Sequence, residues 1–211
     1  SEIELDVREP NPYVTLSKDY VIDPGKTMAV KPLKENGKAK LELSSIPPID
    51  LSRRLEYLVR YPHGCIEQIT SGAFPQLYLP SVVECDANML QDIDRNVKSV
   101  LSRLGSYQLS DGSEWGTVYA THFLIEAAKH GYGVDRAMLD RALKYLRSNP
   151  SDYYLTQAYT QYVLALNGTP TRGAMNQLRE KAASLSSDAK WLLAAAYALD
   201  GNRKVAEGLI S

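Results

Sequence analysis

The stretch Tyr61-Pro62-His63-Gly64-Cys65-Ile66-Glu67-Gln68 sets a thiol three residues ahead of a carboxamide, where a helical pattern begins. Residues three apart lie on one face of a helix, so the Cys65 sulfur and the Gln68 side chain can meet. Gly64 permits a backbone conformation or a close approach that a side chain would forbid, and Pro62 limits where the helix can start. In a first helical turn, unpaired amide hydrogens would favour the nucleophilic thiolate. Attack of the sulfur on the Gln68 carbonyl would expel ammonia and leave a thioester, proximity replacing a very slow bimolecular reaction. Spacing permits this chemistry without requiring it. Free cysteine is among the most buried residue types, and on spacing alone an inert, packed Cys65 is the commoner role.

Two other roles stay open at this point. A cysteine peptidase would pair Cys65 with His122 or His130 and take Gln68 or a helix-start amide as oxyanion donor. Gly-Cys-Ile-Glu-Gln does not resemble the usual flanks of papain-like or caspase-like nucleophiles. An inert helical-repeat binding module would bury Cys65 and use Gln68 for capping or packing. Other chemistry has little footing. There is no glycine-rich phosphate loop, no Cys/His cluster with metal spacing and no convincing carboxylate pair, so neither a cofactor nor a metal is expected. The 24 Lys+Arg offset 25 Asp+Glu to a formal net charge of -1, which gives no field to attract nucleic acid or an anionic membrane. No apolar run is long enough to cross a bilayer, and no signal segment is evident. Cys65 and Cys85 allow one bridge at most.

The elements that must position Cys65 and Gln68 fall into two regimes. Residues 1–45 read as short strands: Ile3 to Arg8 and Lys40 to Leu43 alternate apolar and charged, with turn signals at Asp23-Pro24-Gly25-Lys26 and Glu35-Asn36-Gly37-Lys38. From Ser44-Ser45-Ile46-Pro47-Pro48 onward the period is helical. The pattern predicts helices at about 50–60, 65–72, 74–79, 88–107, 115–130, 135–148, 153–166, 170–184, 188–199 and 203–210. Gly168-Thr169-Pro170 supplies a C-cap glycine, a capping hydroxyl and a proline for the first position of the next helix. Three apolar, small-residue-rich helices end in Gly131, Gly168 and Gly201, spaced 37 and then 33 residues apart. That spacing fits successive antiparallel helix pairs, the apolar helices inside and the charged ones outside. The expected fold is mainly α.

Pro62-His63-Gly64-Cys65-Ile66-Glu67-Gln68, with Tyr61 before it and Ser71, Phe74, Pro75, Leu77 and Tyr78 after it, resembles the thioester region of the alpha-2-macroglobulin family, bacterial branch. Ser45 to Asp50, Arg54 to Leu58 and Trp115 to Leu124 are similar to the same family, so the resemblance covers nearly the whole chain. It implies a partial α/α toroid of antiparallel helix pairs at 46–211, cut at its end, preceded at 1–45 by a β segment of a CUB-like sandwich. It implies that Cys65 supplies the sulfur and Gln68 the acyl group of a thioester, with Gly64 and Glu67 in supporting positions. In the family that bond is sheltered until a protease cuts a bait segment elsewhere. The bond is then exposed, and an amine of the protease takes the acyl group. A thioester is an activated acyl group whose lifetime depends on excluding nucleophiles. The implied partners are therefore target proteases captured through amines and the other domains of a longer protein, in the periplasm or cell envelope. The reaction is a single-use trap rather than a turnover enzyme. Tyr57, Tyr61, Phe74 and Tyr78 are candidates for the shelter. His63, His122, Tyr153 and Tyr154 are candidates for modulating acyl transfer. The absence of a histidine near Tyr153 favours amine over hydroxyl acceptors. The loop from Leu109 to Trp115 is shorter than the family's, and Cys85 matches no motif position.

Overall fold

A computed structural model of the chain describes residues 16–31, 41, 43, 45, 55, 57–106 and 114–210. The chain divides into two units, Ser1–Ile49 and Asp50–Ser211. In the first, residues 16–31 are exposed and carry no regular secondary structure apart from one turn. There the Lys26 amide donates to the Asp23 carbonyl at 3.0 Å and Gly25 takes φ +76°. The alternating run at 3–8 lies outside the described residues, as do Lys40 and Glu42; Leu41 and Leu43 are exposed and in no regular structure.

The second unit is helical. Its described helices are α1 (Ile66–Ala73), α2 (Leu79–Val82), α3 (Ala87–Ser106), α4 (Glu114–Lys129), α5 (Arg136–Ser148), α6 (Tyr154–Leu166), α7 (Arg172–Glu180), α8 (Ser187–Leu199) and α9 (Arg203–Ile210). Most of the helix expected at 50–60 lies outside the described residues. Leu55 is helical, but Tyr57 and Leu58 form a turn and the chain from Val59 to His63 has no regular structure.

Two further expectations need correction. The helix expected at 74–79 is a 3-10 turn, Pro75–Leu77, followed by the short α2. Pro75 and Pro80 each lack the N–H that a continuous helix would use. The helix expected at 170–184 begins at Arg172, ends at Glu180 and is followed by a 3-10 turn at Ala182–Ser184. Pro170 precedes the N-cap Thr171, and the Thr169 hydroxyl does not cap α7. It accepts from Arg147 Nη2 at 2.6 Å and turns toward the Leu164 carbonyl.

The helices pair antiparallel, α4 with α5, α6 with α7 and α8 with α9. The first members form a row, α4 packing on α6 and α6 on α8. Composition explains the row. Helix α4 buries ten residues, including Val118, Phe123, Leu124 and Ile125, and is covered on most sides, whereas α5 buries only Met138, Ala142, Leu143 and Leu146. A single apolar stripe suits an outer helix. At the end of each inner helix a glycine takes positive φ: Gly131 (+84°), Gly168 (+74°) and Gly201 (+83°). The amide after each glycine reaches back five residues, Tyr132 to Ala127, Thr169 to Leu164 and Asn202 to Tyr197, at 2.8–3.0 Å. This is the Schellman closure, which satisfies the last carbonyls of the helix and needs a left-handed residue.

Helix α1 joins this array by its buried face. Ile69 and Ala73 pack with Leu77, Leu79, Ile93, Val97, Val100, Leu104, Phe123 and Leu124. Each large side chain removed from water here contributes roughly 1.5–3 kcal/mol.

Candidate functional site

The approach to α1 is fixed from several sides. Gln76, fully buried, donates from Nε2 to the Arg60 carbonyl at 3.0 Å and to the Gly72 carbonyl at 2.8 Å. Its Oε1 accepts from Asn96 Nδ2 of α3 at 3.0 Å. Pro62 is buried against Gly72, where an added Cβ would stand 3.1 Å from the proline ring. The Tyr61 hydroxyl meets Ser99 Oγ at 2.8 Å. From the same helix as Ser99, Arg103 donates to the Pro62 carbonyl at 2.7 Å and to the Gly64 carbonyl at 3.3 Å. Helix α3 thus holds the loop largely by its backbone carbonyls.

Cys65 is the N-cap of α1, with extended backbone (φ -72°, ψ 175°), and Gln68 is the third helical residue. The two form a capping box: the Cys65 side chain faces the Gln68 amide, and the Gln68 carboxamide oxygen accepts from the Cys65 N–H at 3.0 Å. This is the arrangement a Ser/Thr and Glu/Gln pair makes at other helix starts, here with sulfur as the capping atom. Gly64 takes φ +107°, and a Cβ on it would lie 1.8 Å from Gln68 Oε1. The glycine therefore makes room for the carboxamide as well as the turn. Glu67 is in the first turn, where its negative charge suits the helix amino end. Cys65 and Gln68 are both exposed. Cys65 and Cys85 are free thiols. Cys85 is half-buried against the first core cluster, and burial, then the Asp86 charge, holds its thiol above the ordinary range.

The four shelter candidates divide. Phe74 and Tyr78 stand at the carboxyl end of α1 in an aromatic cluster. Around Phe74, Tyr78, Tyr119, His122 and Phe123 are edge-on, with ring centres at 6.2, 5.5, 4.9 and 5.8 Å. Tyr57 and Tyr61 lie on the loop before α1. Tyr57 is exposed under the Arg60 guanidinium, 3.0 Å from its ring centre, and Tyr61 packs on His63 with centres 4.7 Å apart. Since Cys65 is exposed, none of the four buries it.

The transfer candidates divide likewise. His63 is exposed beside the loop. His122 is in the aromatic cluster, its Nδ1 2.9 Å from the Tyr159 hydroxyl and its ring edge-on to Tyr162. Burial pushes its pKa down to about 4, against a smaller opposing pull from Glu126. Burial works against ionisation of Glu126 too, yet hydrogen bonds from Lys129 (2.8 Å) and Tyr78 (2.6 Å) outweigh it and hold the carboxyl below its usual range. Burial and that same carboxylate raise the Tyr78 phenol well above an ordinary tyrosine. Tyr153 is the exposed N-cap of α6, and Tyr154 packs on the core formed by α6 to α9, with Lys181 Nζ 5.4 Å from its ring centre. For the peptidase alternative, His122 Nδ1 is engaged with Tyr159 within the aromatic cluster, and His130 packs its ring on Tyr78 at 4.8 Å.

Sequence reasoning missed Arg103, Gln76, Ser99 and Gly72. A glycine inside a helix signals a close approach, so Gly72 carried a usable mark. An arginine on an amphipathic helix carries none. Among the described residues no group of His, Cys, Asp or Glu could hold a metal ion, and no helix is long and apolar enough to cross a membrane.

No family model matches the chain. The alpha-2-macroglobulin of Escherichia coli strain K12 is 28% identical over 87% of the chain, which spans 13% of that protein. The alpha-2-macroglobulin of Thermotoga maritima is 34% identical over 60% of the chain, spanning 8% of that protein. The crystal structure of Salmonella alpha-2-macroglobulin reacted with methylamine aligns with a TM-score of 0.62 at 26% identity, over 78% of this chain and 13% of that one. The chain is thus similar, at low identity and over a small part of their length, to bacterial alpha-2-macroglobulins, and its helix pairs share their toroid-like fold.

Proposed function

We propose that residues 46–211 are part of the thioester domain of a protease-trapping protein, with residues 1–45 an edge of an adjoining β-sandwich. Cys65 and Gln68 would form the reactive bond. The observation that carries the reading is the Gln68 carboxamide, held with Oε1 on the Cys65 N–H at 3.0 Å over a glycine that leaves it room. The carbonyl is thereby polarised beside the thiol, the arrangement needed for internal acyl transfer.

The chemistry balances without a further reagent. The Cys65 sulfur adds to Gln68 Cδ, the bond from Cδ to Nε2 breaks, and the nitrogen leaves as ammonia with the thiol proton. Later an amine of an attacking protease adds to the same carbon. The C–S bond breaks, the Cys65 thiol is restored and an amide joins the two proteins. The chain is consumed in one event, so it is a trap and not a turnover catalyst. The exposure of Cys65 fits a site whose shelter comes from other domains of the longer protein. The aromatic cluster at the far end of α1 then anchors the helix, and the lack of a histidine near Tyr153 suits amine acceptors. Placement in the periplasm or cell envelope follows from likeness to bacterial relatives.

Intact mass of the gently purified full-length protein tests the reading. It should fall short by one ammonia, and methylamine should add at Gln68 while freeing one thiol at Cys65. A full mass with complete thiol labelling of Cys65 in fresh protein would refute it. Repeated turnover of a peptide substrate would instead mark a peptidase.

A further inference from the structure

We propose that Arg103 is a positioning residue for Gln68, acting through the Gly64–Cys65 peptide to strengthen the hydrogen bond at the carbon that reacts. The proposal rests on the thioester reading above and extends it to a residue on another helix.

That peptide is engaged at both ends. Its carbonyl, on Gly64, accepts from Arg103 Nη2 at 3.3 Å, and its N–H, on Cys65, donates to Gln68 Oε1 at 3.0 Å. Arg103 Nη1 is fixed on the Pro62 carbonyl at 2.7 Å, so the fork spans two carbonyls of the loop. Its helix is in turn locked by the buried neighbours Val100, Leu101 and Leu104. A cation on the carbonyl of a peptide draws electron density from it and makes the N–H a better donor, as hydrogen bonds in a chain polarise one another. When the sulfur adds to Cδ, negative charge gathers on Oε1, the atom that this N–H holds. A contact that strengthens as charge develops lowers the barrier rather than merely tightening the ground state. Arginine gives up no proton here, and the ammonia leaves with the thiol proton as before. Lysine keeps the charge but, on a flexible stem, lacks the planar fork that sets two N–H groups on the two carbonyls.

The full-length protein with Arg103→Gln, Arg103→Lys and, as a loop control, Ser99→Ala provides the test. The last removes the hydroxyl contact to Tyr61 and leaves the Gly64–Cys65 peptide untouched. Two rates are read by mass: loss of ammonia during maturation, and restoration of glutamine when nitrogen-labelled ammonium is added to the intact bond. The second reaction is the reverse of the first and crosses the same intermediate, so a group that stabilises that intermediate speeds both. In Arg103→Gln both rates should fall about tenfold, short of the loss expected when an oxyanion donor is removed outright. Arg103→Lys should recover part of each rate, and Ser99→Ala should leave the reverse rate unchanged or raise it. An unchanged or faster reverse rate in Arg103→Gln would overturn the proposal, showing that the arginine only closes the loop. Equal slowing in Ser99→Ala would overturn it too. Wild-type protein that never loses ammonia refutes the thioester reading itself, a different failure.

Discussion

At its carboxyl end α1 runs into Phe74, ringed edge-on by Tyr78, Tyr119, His122 and Phe123. At its amino end Cys65 is exposed, and the chain before it is tied by Gln76, Arg103 and Ser99. One end is held by apolar contact and the other by hydrogen bonds, most of them to main-chain carbonyls. The difference follows from what each end must do. Packing stabilises by covering side chains, and a covered thiol could not meet a partner. Hydrogen bonds to the backbone fix a loop without touching the side chains it presents.

Changes at the two ends should therefore separate reactivity from stability. Gly64→Ala puts a Cβ where Gln68 Oε1 lies. We expect methylamine incorporation to fall by two orders of magnitude or more, on the scale of a lost oxyanion contact, with a stability cost of at least about 1 kcal/mol because alanine is strained at this positive φ. A variant that incorporates methylamine normally would show that the carboxamide need not sit there. Phe74→Ala should do the reverse at first sight, costing about 3 kcal/mol of unfolding free energy in urea titrations. Methylamine incorporation at low temperature, with the protein still folded, should stay within a few fold of wild type. A collapse of reactivity in that variant would make the cluster part of the site.

His122 offers a smaller effect with a defined pH range. Its folded pKa is about 4 against an ordinary value of 6.5, so the unfolded chain binds its proton first on acidification. The stability it contributes is complete above pH 6.5 and is lost as pH falls toward 4, roughly 2–3 kcal/mol in all. His122→Gln should flatten that part of the stability profile, while the profile above pH 7 keeps its shape. An unaltered acid limb would mean that the histidine is hydrated. The smallest effect belongs to the repeat. Gly201→Ala, at φ +83° with open space around it, should cost about 1 kcal/mol in thermal unfolding and leave methylamine incorporation unchanged.

Much of this organisation was legible in the chain itself. The glycines at 131, 168 and 201 announced the ends of the inner helices because a left-handed closure has a residue preference visible in any sequence. Cys65 and Gln68 announced a pairing because i and i+3 is a local relation. Arg103 and Gln76 act on carbonyls of residues remote in sequence, and no residue type is required at an acceptor that every residue carries. Pro75 and Pro80 were in plain view, yet their effect on the predicted helix at 74–79 depended on which turn each occupied. Tyr57, Tyr61, Phe74 and Tyr78 are alike as aromatic residues, and only the placement of Tyr57–His63 on the loop before α1 sets two of them apart from the other two.

The capping box has one more consequence. The residues it joins by reversible contacts are the same two that a thioester would join by a bond, so maturation would convert a helix cap into a covalent staple. Its rupture would return the first turn of α1 to a cap that can fray. The amides of Gln68 and Ile69, which face the Cys65 side chain and carbonyl, would then serve as a clock, slow to exchange with deuterium while the trap is loaded and faster once it has fired.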